Sequence, residues 1–215
     1  MNSMFVSAVE MIDACREYPI VFVRSGESEL GKPPVEVTPV AVLGLKRGEN
    51  LYLQAGGGWA ASYVPAFLRS YPFALVRTDE NNYVVCFDRE WSGFSEQEGE
   101  RLFDDQGEAS EFLRGVQNYL ETLDAEMQRT RAFGKRLIEL ELLRDMRFDA
   151  TMEGGKTLTV DGFLAIDAEK LGALPEATVM ELHRSGMLAL IHAQIVSMGN
   201  MRELVEKRIR LKLPV

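Results

Sequence analysis

The sequence predicts an α+β protein, with a mainly antiparallel sheet covered on one face by a long helix and a set of C-terminal helices. Three observations carry that expectation. Short segments rich in β-branched and aromatic residues, such as IVFVR at 20–24 and YVVCF at 83–87, are bounded by turn residues, as in antiparallel hairpins. From Ser110 to Leu143 the apolar residues switch to helical 3-and-4 spacing. Helices and strands do not alternate strictly, which argues against a doubly wound parallel sheet. Residues 1–215 read as one domain, a length at which folding buries roughly 70% of the unfolded chain's surface.

Met1 to Arg16 reads as a short helix with Phe5, Val9 and Ile12 on one stripe, stopped by Tyr18-Pro19. Ile20 to Arg24 has the composition of a buried strand, and the Gly- and Pro-bearing stretch from Ser25 to Glu36 reads as a polar loop. PVAVLGL and LYLQA, on either side of Lys46 to Asn50, predict a hairpin over 39–54. Trp59, Tyr63 and Phe67 recur at helical spacing, with Pro65 in the first turn and Pro72 ending the helix. FALVR and YVVCF form two more strands around a turn at 78–82, and the acidic stretch from Asp88 to Glu108 reads as an irregular, mobile excursion.

One long helix follows, with Ser110 as its N-cap and Leu113, Val116, Leu120, Leu123, Met127, Phe133, Leu137 and Leu140 along its stripe. At 1.5 Å per residue it would be about 50 Å long, more than a small domain is wide. Two arrangements are open: packing within the chain, with a bend near Gly134, or pairing with a partner helix, against which Thr130 and Gly134 interrupt the seam. Period-two alternation around Gly154-Gly155 predicts a second hairpin over 147–167, and helices fill the chain from Pro175 onward with a break at Ser185-Gly186.

Composition excludes several function classes. The net charge of −9 argues against nucleic acid, which requires clustered Lys and Arg to displace counterions. No apolar run approaches the roughly 20 residues of a membrane span, so a permease is excluded, and the first residues lack the basic-then-apolar pattern of an export signal, giving a cytoplasmic expectation. Cys15 and Cys86 lack the spacing of a metal ribbon or disulfide framework and read as two reduced thiols. Charge is uneven: carboxylates dominate between Asp79 and Glu111, whereas Arg202, Lys207, Arg208, Arg210 and Lys212 crowd the C-terminus. That polarity fits either head-to-tail self-association or a solvated helix with a basic last turn.

Chemical motifs fail on inspection. GGKT at 154–157 resembles the end of a phosphate-binding loop, but Ala150 stands where the motif needs glycine and a strand follows where it needs a helix. His183 and His192, nine residues apart, do not share a helix face in the spacing a metal site uses. His192 and Ser197 lie about 140° apart around a helix and cannot serve as base and nucleophile. No motif specifies a cofactor or a metal. The least ordinary local feature is the polar set His183, Arg184, His192, Ser197 and Asn200 inside an apolar helical stretch, where structural hydrogen bonding is the ordinary reading.

Several segments together resemble the SapC family of bacterial proteins: REYPIVF at 16–22, PVAVLGLKRGENLYL at 39–53, WAASYVPAFLRSYPFAL at 59–75, LFDDQGE at 102–108, and DGFLAIDAEKLGALPE with LHRSGMLALIHAQIVSMGN in the last third. The resemblance implies a non-enzymatic accessory or assembly protein of the bacterial surface layer, cell envelope or nutrient-uptake system, working through a protein partner or as a homo-oligomer. It transfers no catalytic residues. The rival expectation is a small-molecule binder or enzyme with its pocket between the sheet and the C-terminal helices. Its candidate lining residues are Tyr63, Arg69, Tyr71, His183, Arg184, His192 and Asn200, which fall in the segments that carry the resemblance.

Overall fold

The structure is a computed structural model and describes residues 1–25, 36–79, 82–151 and 157–213. In chain order the strands are β1 (Ser3–Phe5), β2 (Ile20–Ser25), β3 (Glu36–Val42), β4 (Phe73–Arg77), β5 (Tyr83–Phe87), β6 (Leu143–Thr151) and β7 (Thr157–Ile166). The helices are α1 (Met11–Ala14), α2 (Ala66–Arg69), α3 (Glu111–Glu139), α4 (Ala168–Gly172), α5 (Glu176–Arg184), α6 (Met187–Ser197) and α7 (Asn200–Arg210). Five strands make one antiparallel sheet in the order β1-β3-β2-β7-β6, and β4 pairs with β5 in a separate two-stranded sheet. The fold is α+β, as the periodicities predict.

Successive residues of a strand point to opposite faces. Ile20, Val21 and Phe22 are nevertheless all buried, as are Phe163, Leu164, Ala165 and Ile166. Both faces of the sheet are therefore covered around β2 and β7, where a single covered face was expected. Phe22 meets Phe133 of α3 with ring centroids 6.2 Å apart. Pairing of β2 with β7 is brief, with Phe22 opposite Leu164, and α6 bridges the gap beyond it. Gln194 Oε1 accepts from the Ile166 amide at 3.1 Å while its Nε2 donates to the Ile20 carbonyl at 3.0 Å. Ser197 Oγ accepts from the Ile20 amide at 2.9 Å. Two buried side chains thus stand in for missing ladder bonds, which is why polar residues occur in this apolar helix.

Three local expectations are corrected. Residues 1–16 are not one helix: Ser3–Phe5 pair with Val40–Val42, and only a 3-10 turn at Ala8–Glu10 and α1 follow. The predicted stripe is inverted, since Val9 and Ile12 are exposed while Met4, Val6, Met11 and Ala14 are buried. The 39–54 hairpin does not form either. Both edges of β3 are already occupied by β1 and β2, so Leu51 to Gln54 find no edge to join. They fold into a small loop closed by the Leu53–Trp59 bridge, and the Glu49 carboxylate holds the turn by accepting from the Leu45 amide at 2.8 Å and pairing with Arg208 of α7. The helix expected over 59–72 shrinks to α2, because the amides of Ser62 and Tyr63 bond the Glu17 carboxylate instead of a helical ladder.

The long helix is present over 29 residues, with Ser110 Oγ accepting from the Leu113 amide as its N-cap. Its two halves do different work. Phe133 and Leu137 join the main core, whereas the buried Leu120 and Leu123 lie outside it, beneath the β4–β5 hairpin. Thr130 turns from a seam interruption into a tie: its hydroxyl donates to the Glu126 carbonyl at 2.6 Å and accepts from the Ala8 amide at 2.8 Å. The 147–167 hairpin forms as β6 and β7, although its Gly154-Gly155-Lys156 turn lies outside the described residues, as does most of the polar loop at 25–36. Gly186 separates α5 from α6 in the left-handed conformation, φ 77°, as expected of a C-terminal glycine. The short α4 was not expected, although its Asp167 N-cap accepts from the amides of Glu169 and Lys170.

Candidate functional site: an aromatic groove over the first half of α3

Large apolar side chains left in water are normal singly and informative in groups. Of the 17 that the described residues expose, nine fall between Phe67 and Phe112: Phe67, Tyr71, Val76, Tyr83, Val84, Phe87, Trp91, Phe103 and Phe112. The concentration has a simple origin. The β4–β5 hairpin pairs with no further strand among the described residues, and the helix it packs on is α3, through that helix's first half. A two-stranded sheet has too little surface to bury both of its faces.

Aromatic rings organise the space beside it. Phe73 on β4 touches Phe87 of β5, Phe94 and Phe112 of α3, with centroids 6.0 to 6.5 Å apart. Phe94 in turn meets Phe87 at 5.0 Å and Trp91 at 5.2 Å, and Trp91 meets Tyr71 edge-on at 6.4 Å. These edge-to-face pairs suit aromatic quadrupoles. Around them lie two adjoining cavities of about 710 and 460 Å³, which share Ser70 to Phe73 and Leu120. Together they form one groove, walled by the hairpin and the 88–100 segment and floored by α3.

Its polar groups are few. Arg69 is fixed by its Nε donating to the Val64 carbonyl at 3.0 Å, and its guanidinium stands 5.9 Å from the Tyr63 ring centre and 5.8 Å from that of Tyr119. Tyr71 donates to Asp88 at 2.7 Å. That bond holds the Asp88 carboxyl below the usual carboxylate range and raises the Tyr71 phenol above its own. Glu98 and Glu100 line the same cavity.

Behind the groove, the buried Glu10 carboxylate sets the position of α2. Its Oε1 accepts from the Tyr63 hydroxyl at 2.7 Å and the Ala66 amide at 2.6 Å, while Oε2 accepts from the amide and hydroxyl of Ser7. Tyr119 of α3 donates to the Ala66 carbonyl at 3.0 Å. A second aromatic cluster, Tyr18, Tyr52 and Trp59, is packed solid: Tyr18 donates to the Tyr63 carbonyl and accepts from Trp59 Nε1 at 2.7 Å. Lys207 caps it, 3.6 Å from the Tyr52 ring centre, and its burial pulls the ammonium below its ordinary pKa.

The seven candidate residues separate into two sets. Arg69 and Tyr71 line the groove, and Tyr63 stands directly behind Arg69. His183, Arg184 and His192 are exposed on α5 and α6 and line neither cavity of the groove, and Asn200 Nδ2 donates to the Cys15 carbonyl at 2.8 Å, beyond the end of α1. Ser197 is buried against β2 while His192 faces out, so the two do not meet. Among the described residues no three His, Cys, Asp or Glu side chains converge as metal ligands would. Sequence reasoning missed Phe73, Trp91, Phe94 and Phe112. The signal was present: a solvated acidic loop has no physical reason to carry Trp91, Phe94, Leu102 and Phe103.

No curated protein and no solved structure matches the chain. A family model described as SapC covers residues 1–204, both sheets and the groove included, and the chain therefore belongs to the SapC family.

Proposed function

We propose that this protein is a non-enzymatic accessory or assembly protein of the bacterial envelope or nutrient-uptake system, and that it works by docking a protein partner in the aromatic groove. One observation carries the reading: of the 17 large apolar side chains that the described residues expose, nine fall between Phe67 and Phe112, and five of these, Phe67, Tyr71, Phe87, Trp91 and Phe112, line a single groove. Its composition resembles the energetic centre of protein interfaces, where Trp, Tyr and Arg dominate and carboxylates form the rim. Trp91, Tyr71 and Arg69 are the expected anchors. Truncating such an anchor weakens binding by about 2 kcal/mol or more.

Purification of the full chain from its native cells tests this. The proteins retained by the wild type are expected to be lost from Trp91→Ala/Phe94→Ala and kept by His183→Ala/His192→Ala. Identical sets from all three would contradict the proposal. A second reading, a small-molecule binder, is favoured by the size of the larger cavity, about 710 Å³, which lies in the range of ligand pockets. Native mass spectrometry separates the two, since a bound small molecule would travel with the purified chain and leave with the same aromatic substitutions.

A further inference from the structure

A second segment combines exposed apolar side chains with charge that forms no ion pair among the described residues. Arg210 ends α7, Leu211 caps it and Lys212 turns left-handed, φ 50°, and the amides of Lys212 and Leu213 bond back to the carbonyls of Ile209 and Arg208, so Arg210 to Leu213 form an exposed turn at the helix end. Leu211 and Leu213 are 56% and 37% exposed, whereas Leu204 of α7 is fully buried. Arg210 and Lys212 flank them and form no ion pair among the described residues; Arg210 reaches only the Glu206 carbonyl, at 3.4 Å. The groove presents the converse. Glu98 and Glu100 line its aromatic walls and likewise form no ion pair among the described residues, and Asp88 and Asp124 line its second cavity.

We infer that the groove's partner is a second copy of this chain, docked through its C-terminal segment Arg210–Leu213. This identification rests on reading the groove as a protein-contact surface. The two leucines enter the space among Phe73, Trp91, Phe94 and Phe112, where burial of apolar surface drives the contact. Arg210 and Lys212 face Glu98 and Glu100 at the rim, where they set orientation more than affinity. Because the donor segment and the receiving groove are different surfaces, the contact is heterologous and every chain offers one of each. The segment lies outside the residues 1–204 that the family match covers.

Sedimentation of the purified full chain from micromolar to near-millimolar concentration tests the inference. Molar mass is expected to rise with concentration, and the association to weaken with added salt as the rim charges are screened. Leu211→Glu/Leu213→Glu and Glu98→Lys/Glu100→Lys should each weaken it by roughly tenfold or more. Mixing Glu98→Lys/Glu100→Lys with Arg210→Glu/Lys212→Glu should restore it. All six positions are exposed, and an unchanged urea midpoint in each variant shows that the fold is retained. A constant monomer mass across the range, or an association indifferent to these substitutions, overturns the second copy as partner. The groove still stands as a contact surface if its aromatic substitutions continue to release a different protein from native cells.

Discussion

Glu10 is a carboxylate that the fold cannot replace with an amide. Each of its oxygens accepts two hydrogen bonds, and two of the four donors are backbone amides, those of Ser7 and Ala66. Hydroxyls can reverse their bonds to meet an amide NH2, but backbone amides cannot. Glu10→Gln therefore strands one buried N–H and is expected to lower stability by about 1–3 kcal/mol; an unchanged urea midpoint would contradict this. The tyrosines make a prediction in pH. Burial pushes the Tyr18 phenol up to about 12, with the Trp59 bond opposing and the Glu17 charge adding to the shift, and it raises Tyr52 and Tyr63 as well. Unfolded phenols titrate near 10. The folded chain thus holds these protons more tightly, and their contribution is complete below pH 10 and lost as pH rises through the folded values. Stability measured by urea should hold up to pH 10 and fall steeply toward pH 12. A flat profile across that interval would show the phenols to be accessible.

At the scale of elements, α3 links a well-packed sheet to a thinly covered hairpin, and its two glycines report on the two environments. A Cβ at Gly134 would lie 2.7 Å from the Val37 carbonyl and 3.1 Å from Val37 Cγ2, so helix and strand would have to separate. A Cβ at Gly115 would meet nothing within 4 Å. Gly134→Ala should cost about 1–3 kcal/mol from overpacking, whereas Gly115→Ala should add up to ~1 kcal/mol from helix propensity. Calorimetry would show opposite shifts in Tm, and equal shifts would rule out the close approach of α3 to β3. The helix itself was legible in the sequence, because its stripe and its Ser110 cap are local signals. So was the β6–β7 hairpin, whose alternation survives a short turn. Strand partnership was not. PVAVLGL looks ready to pair with LYLQA across a few residues, yet β3 takes β1 and β2, and that choice depends on which edges distant segments have already filled. The three-residue β1 is too short for period two to register at all.

For the whole molecule, the α+β class followed from sequence and the candidate site did so only in part. Arg69 and Tyr71 were identified as polar and aromatic residues in a distinctive segment, but exposure is a tertiary property, and no periodicity reveals that the hairpin above them lacks a covering layer. His183 and His192 stand out in the sequence for their chemistry, yet the fold leaves both on the surface and outside the groove. Apolar burial is strong on both faces of the main sheet and weak around β4–β5, so the molecule has one finished core and one unfinished surface. We propose that a protein partner completes that surface in the cell. The most direct measurement places a photo-crosslinking side chain at Phe87, which is exposed on the groove wall, and as a control at Val196, which is exposed on α6. Illumination of native cells is predicted to yield a discrete protein adduct from position 87 and none from position 196. Adducts from both positions alike, or from neither, would contradict the claim.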